Sequence, residues 1–209
     1  MKIYFIRHGE TVWNTLKLFQ GSSNSPLTEK GKSQAIKLGQ KLNNVNFDVF
    51  YSSPMGRTIE TTNLVLNGRN IPIKYIDEFK EISMGDMEGI KREIFEEKFP
   101  KQFNNLFFNP EEYSPKGYGG EDYNQLLARV QKGLEKIVNE NSSTSTIAVV
   151  SHGVTLKVIF KIIKNLTFKE LGEFPVPKNT SLSIVDYDYD NKTYNIELFS
   201  DTSHLDGSE

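Results

Sequence analysis

The chain contains no cysteine, which removes disulfides, thiolate metal sites and cysteine nucleophiles at once. Histidine is scarce: there are three in 209 residues, with no i, i+4 pair and no compact run of histidines and carboxylates, so no multi-histidine metal centre is expected. Neither sign of charge is in excess. A formal net charge of -2 gives no global basic field for nucleic acid or an anionic membrane, and any attraction for anions must be local. Long apolar runs are missing too, since the opening run is cut by Arg7 directly after Ile6, too early for a signal peptide or a membrane span. A Gly-rich loop ending in Lys-Ser or Lys-Thr is absent, which excludes a nucleotide P-loop. Gly85 to Gly89, "GDMEG", places two carboxylates in a loop, and Ca2+ there is disfavoured. From these absences we expect a soluble, unprocessed, cytoplasmic protein without cofactor or metal.

What is present has the composition of an ordinary globular chain, 37% hydrophobic and 25% charged, of a length that suits one generous domain. We expect that domain to span 1–205, with 206–209 as a frayed tail. Residues 2–6, Phe47 to Ser53 and Ser145 to Gly153 read as buried strands. Helical patterns separate them. Thr28 is a candidate N-cap for a helix that buries Ala35, Leu38, Gly39 and Leu42. Ser53-Pro54 reads as a cap with proline following, giving a helix from Met55 to about Leu66. Another helix begins near Glu121, with Tyr123, Leu126, Leu127, Val130, Leu134, Ile137 and Val138 as its stripe, and Asp122 can cap it. A fourth pattern, through Val154, Val158, Ile159, Ile162 and Ile163, follows the third strand. Strands alternating with helices predict an α/β fold with a mainly parallel sheet and helices on both faces. Two alternating segments around Asp190-Asn191 predict a hairpin at one side of that sheet. Residues 89–120, rich in phenylalanine and tyrosine among prolines and glycines, read as a helical excursion over the sheet edge, a candidate lid whose rings mostly pack on one another.

Three strand ends carry polar groups. The first ends in Arg7-His8-Gly9, the second leads into Ser52-Ser53-Pro54 with Arg57 in the next helical turn, and the third ends in Ser151-His152-Gly153. In an open parallel sheet, ligands bind beyond the carboxyl ends of the strands, beside helix N-termini that favour anions. Any one of these four side chains is by itself an ordinary solvated residue. Their convergence on one rim is what chance does not supply, and the guest such a rim suits is a tetrahedral, doubly charged phosphoryl group neutralised by guanidinium and imidazole groups without a metal.

"RHGETVWN" (Arg7 to Asn14), "LTEKGKSQA", "YSSPMGRTIET" and "VSHG" together resemble the histidine phosphatase superfamily, also called the phosphoglycerate mutase-like family, in order over nearly the whole chain. The resemblance implies a three-layer α/β/α fold with a mostly parallel six-stranded sheet, and a covalent phosphohistidine mechanism. It places the nucleophile at His8 and phosphoryl binding at Arg7, Arg57 and His152, with Asn14 contacting the phosphate or orienting the groups that do. It also implies a general acid from the middle of the chain, for which Glu81 is the best match and Glu78, Asp86 and Glu88 are alternatives. Such an acid must enter the reaction protonated and later take a proton from water. Gly9, Glu10, Gln20, Gly21, Gly153 and one lid ring, Phe103, are then expected to line the site, Gly9 leaving room for the substrate to approach.

Within the family, the phosphoryl group passes to water or back to an acid. The mutases resemble F-x-G-W after the first motif, whereas this chain has Phe19-Gln20-Gly21-Ser22 and a short aromatic lid. It looks more like the broad-specificity and cobalamin-pathway phosphatase branches. The expectation is therefore a metal-independent phosphomonoester hydrolase whose partners are a small phosphorylated metabolite and inorganic phosphate as product, acting as a monomer or homodimer, with no nucleic acid or membrane partner. A 2,3-bisphosphoglycerate-dependent mutase and a non-catalytic phosphate-binding module are the alternatives.

Overall fold

The computed structural model describes residues 1–205, so the predicted tail at 206–209 lies outside the described residues. Six strands, β1 (Lys2–Arg7), β2 (Val49–Ser52), β3 (Ile73–Tyr75), β4 (Thr146–Ser151), β5 (Leu182–Asp188) and β6 (Thr193–Asp201), form one sheet in the order β3-β2-β4-β1-β5-β6. The first four run parallel and the last two are antiparallel to their neighbours, so the predicted hairpin forms one side of a mainly parallel sheet. β3 is short and largely exposed, and its three residues gave no periodic signal in the sequence.

Helices cover both faces. On one lie α2 (Glu29–Lys41) and α3 (Gly56–Leu66), where Ala35, Leu38, Val65 and Leu66 pack on Ile6, Phe50, Ala148 and Val150. On the other, α6 (Tyr123–Asn139) and α7 (Gly153–Lys164) bury Leu126, Val130, Leu156 and Ile159 against Ile3, Phe5, Val149 and Tyr51. Alternate residues of β1 and β4 thus feed opposite cores, as expected for strands buried on both sides. The predicted caps at Thr28 and Asp122 are in place: Thr28 Oγ1 accepts from Gly31 N at 2.9 Å, and Asp122 accepts from Asn124 N and Gln125 N, each at 2.9 Å. The cap predicted at Ser53 is not. α3 starts after Met55, without a side-chain cap, and leaves the Ser53 hydroxyl for another partner.

β1 and β4 are neighbours whose connections leave to opposite faces, β1 through α2 and β4 through α7. This divergence opens a crevice at their carboxyl ends. The register pairs Arg7 with Ser151, so His8 and His152 follow side by side. The 89–120 excursion forms two helices, α4 (Arg92–Lys98) and α5 (Pro100–Phe108), which contribute Arg92, Leu106 and Phe107 to the wall of the crevice. Two further short α-helices are α1 (Val12–Thr15) after the first motif and α8 (Phe168–Glu173) before the hairpin. No helix among the described residues is long and apolar enough to cross a membrane.

Candidate active site

The crevice is a pocket of about 380 Å³, with Arg7, His8, Asn14, Gln20, Gly21, Arg57, Glu81 and Gly153 among its lining residues. The His8 and His152 ring centroids are 5.3 Å apart. His8 is buried, and its Nδ1 lies 2.7 Å from the carbonyl of Gly9. A carbonyl only accepts, so Nδ1 carries the proton and Nε2 keeps a lone pair. Burial, then the positive charges of Arg57 and Arg7, hold the His8 pKa well below its ordinary value, so the ring is neutral at physiological pH.

Arg57 is almost completely buried in the first turn of α3. Its Nη1 donates to Ser23 O at 2.6 Å, its Nη2 to Gly21 O at 2.8 Å, and its Nε to His152 Nδ1 at 3.1 Å. Guanidinium is an obligatory donor, so His152 Nδ1 accepts and the proton sits on Nε2, which donates to Ser53 Oγ at 2.8 Å. The sequence led us to expect His152 on the phosphoryl group. In the structure it is fully buried behind Arg57, with both nitrogens engaged. Burial, then the charge of Arg57, keeps it neutral. Arg7 donates from Nη1 to Pro177 O at 2.6 Å, while its Nε is buried with no partner among the described residues. Burial lowers the pKa of Arg7 and of Arg57 to about 10, which leaves both cationic at neutral pH.

Glu81 faces the pocket from the segment after β3. Its Oε1 accepts from Ile82 N and Thr155 N, each at 3.0 Å, and from Thr155 Oγ1 at 3.1 Å; its Oε2 accepts from Val154 N at 3.1 Å. The carboxyl thus sits on the N-terminal turn of α7, where the unpaired amides favour an acceptor. Arg129 holds the backbone behind it, donating to the carbonyls of Glu78, Lys80 and Glu81. The alternatives are placed elsewhere. Asp86 is exposed, and Glu88 accepts from Ser22 N, Ser22 Oγ, Ser23 Oγ and Met84 N. Although burial works to raise the Glu88 pKa, these hydrogen bonds outweigh it and leave a net lowering; Glu88 is also not among the residues that line the pocket, whereas Glu81 is.

Several expected lining residues take other places. Phe103 is absent from the wall: it turns onto Phe95 and Phe107, and Leu106 and Phe107, later on α5, line the pocket instead. Gly9 is not in the lining either. A Cβ there would lie 2.6 Å from Gly31 O, so the glycine permits close approach to α2 rather than to a substrate. Glu10 points away to Thr28 Oγ1 at 2.9 Å and to Lys30. Asn14 lines the pocket, its Oδ1 accepting from Thr11 N at 3.1 Å and from Asn179 Nδ2 at 3.4 Å. Sequence reasoning missed Arg92, Val176 and Asn179 in the wall, since no local motif marks them.

Strand ends that bring a half-buried and a buried guanidinium group to one pocket with a neutral imidazole define an α/β protein with a cationic pocket at its topological switch point. The chain belongs to the histidine phosphatase superfamily (branch 1), which matches it over residues 3–202. It is 31% identical to the broad-specificity phosphatase YOR283W of Saccharomyces cerevisiae, an alignment covering 100% of this chain and 89% of that protein. Its fold is similar to that of Bacillus stearothermophilus YhfR, with a TM-score of 0.92 at 33% identity over 98% of each chain. It is also similar to the phosphoglycerate mutase of Bacillus anthracis, with a TM-score of 0.81 at 26% identity over 98% of this chain and 95% of that one.

Proposed function

We propose that the protein is a metal-independent phosphomonoester hydrolase acting on a small phosphorylated metabolite through a phosphohistidine at His8. One observation carries this reading: the Gly9 carbonyl fixes the His8 tautomer so that a neutral Nε2 with a free lone pair lies beside Arg7 and Arg57. The phosphoryl oxygens are bound by these two arginines, including the unpartnered Nε of Arg7. Nε2 forms a bond to phosphorus as the ester P–O bond breaks, and the departing alkoxide takes the proton of the Glu81 carboxyl. Water then attacks phosphorus and gives its proton to Glu81. The N–P bond breaks, its electron pair returns to Nε2, and inorganic phosphate leaves. Preorganised cations stabilise the charge of the transferring group in both steps. His152 acts by holding Arg57, and α4 and α5 serve as the lid over the leaving group.

Brief mixing with a 32P-labelled phosphoester and a denaturing quench tests the reading. Acid-labile, base-stable label on the wild-type protein, absent from His8→Ala together with turnover of p-nitrophenyl phosphate, is the expected result. Full turnover by His8→Ala would refute it. Isomerisation of 3-phosphoglycerate that depends on 2,3-bisphosphoglycerate would reassign the protein as a mutase.

A further inference from the structure

Resting on the hydrolase reading and its use of Glu81, we infer that Thr155 is a positioning residue for the proton transfers: its one hydroxyl proton turns to Glu81 while the carboxyl is ionised and to the carbonyl of Lys80 while the carboxyl is protonated. Thr155 lies in the first turn of α7, fully buried and outside the pocket lining, so solvent does not reach its hydroxyl. Oγ1 is 2.7 Å from Lys80 O and 3.1 Å from Glu81 Oε1, and it is the donor in both contacts. A hydroxyl has one proton to give, so it serves these two acceptors by turns. Neither choice leaves a buried acceptor bare. Lys80 O also receives Arg129 Nη1 at 2.8 Å, and Oε1 also receives the amides of Ile82 and Thr155, each at 3.0 Å.

The two oxygens of Glu81 are unlike. Oε1 meets three donors, whereas Oε2 meets one among the described residues, Val154 N at 3.1 Å, and has a lone pair left for a proton. A proton taken from water therefore goes to Oε2. That leaves Oε1 as a carbonyl-type oxygen, a weaker acceptor than a carboxylate, and the hydroxyl then favours Lys80 O at the shorter distance. When Oε2 gives its proton to the departing alkoxide, the hydroxyl returns to Oε1 and stabilises the charge left there. The frame stays in place meanwhile, because Arg129 uses all five of its N–H groups, two on the Glu121 carboxylate and three on the carbonyls of Glu78, Lys80 and Glu81. Arg7, Arg57 and His8 face the carboxyl across the pocket, and Tyr123 approaches it from α6. Asp77, Lys80 and Glu121 share its outer groove with Arg129. Replacing Thr155 alters none of these charges.

The test follows kcat/KM against pH for phenyl phosphate, whose leaving group needs protonation. The basic limb of that profile marks loss of the Glu81 proton. Thr155→Val keeps the shape and removes the donor, so ionised Glu81 is less stabilised and the proton is held to higher pH. The limb should then move up by about 0.5–1 pH unit, the scale of one hydrogen bond to a charged group. Thr155→Ala should shift it in the same direction, and Thr155→Ser should leave it at the wild-type position. A wild-type profile without a basic limb, a limb that Thr155→Val and Thr155→Ala leave in place, or one that Thr155→Ser moves as far, would overturn the assignment. Acid-labile label on the wild-type protein from 32P-labelled phenyl phosphate reports the hydrolase reading separately: with label and turnover intact, only the role of Thr155 fails. No label and no turnover would remove both.

Discussion

Arg57 reaches the pocket because the carbonyls of Gly21 and Ser23 hold its terminal nitrogens, and the loop carrying those carbonyls is held in turn by Glu88. Gly21 has φ +50, and a Cβ there would collide with the Glu88 carboxylate, so glycine is required both for the turn and for the close approach. Glu88 is therefore a positioning residue for the proposed phosphate site. In Glu88→Gln one acceptor oxygen becomes an NH2 group facing the donors of Ser22, Ser23 and Met84. Inorganic phosphate should then inhibit about tenfold more weakly, with a similar loss in kcat/KM, as expected when a charge-assisted hydrogen bond is lost. Inhibition constants for phosphate, measured beside thermal melts, separate this from simple destabilisation. Unchanged phosphate affinity would show that the loop keeps its shape without the carboxylate.

At the scale of elements, local chemistry starts the helices and tertiary contacts assign their faces. Asp122 caps α6 reciprocally with Gln125, whose Oε1 accepts from Asp122 N at 3.0 Å, a pattern decided within four residues and readable directly. Asp122→Ala should cost about 1 kcal/mol, lowering Tm by about 2–4 °C with little effect on kcat, as calorimetry and steady-state assays would show. Ser53-Pro54 also reads locally as a helix start, a cap residue followed by proline, yet its serine belongs to His152, because pairing of β2 with β4 brings Ser53 beside the end of β4. In α5, spacing alone leaves Phe103 and Phe107 equivalent. Contact with Phe95, itself fully buried against Phe19 and Tyr118, draws Phe103 away from the pocket wall.

For the molecule as a whole, α7 carries a further buried cation. Lys157 is nearly inaccessible, and the one hydrogen bond its ammonium makes among the described residues is to Gly172 O at 3.4 Å. Burial pushes its pKa down from 10.5 to about 8. Below about pH 8 the folded protein bears the penalty of a buried charge. Between about pH 8 and 10.5 the folded state has released the proton while the unfolded chain still holds it, so this contribution to stability rises with pH. Urea unfolding at pH 7.5 and pH 10 should show Lys157→Met more stable than the wild type at the lower pH, with the difference shrinking at the higher. A difference independent of pH would mean that the lysine is not held in this state. The sequence by itself determined the alternation of strands and helices, the caps at Thr28 and Asp122, the edge hairpin, the family, and the meeting of Arg7, His8 and Arg57, because each is written in short motifs at strand ends or within one helical turn. Only the tertiary structure decided that His152 bonds Arg57 and Ser53, that Glu81 rather than Glu88 lines the pocket, and that Arg92 joins the wall. Those outcomes depend on strand register and on the packing of segments remote in sequence, and no local pattern of residues encodes which donor a distant carboxylate or imidazole will meet.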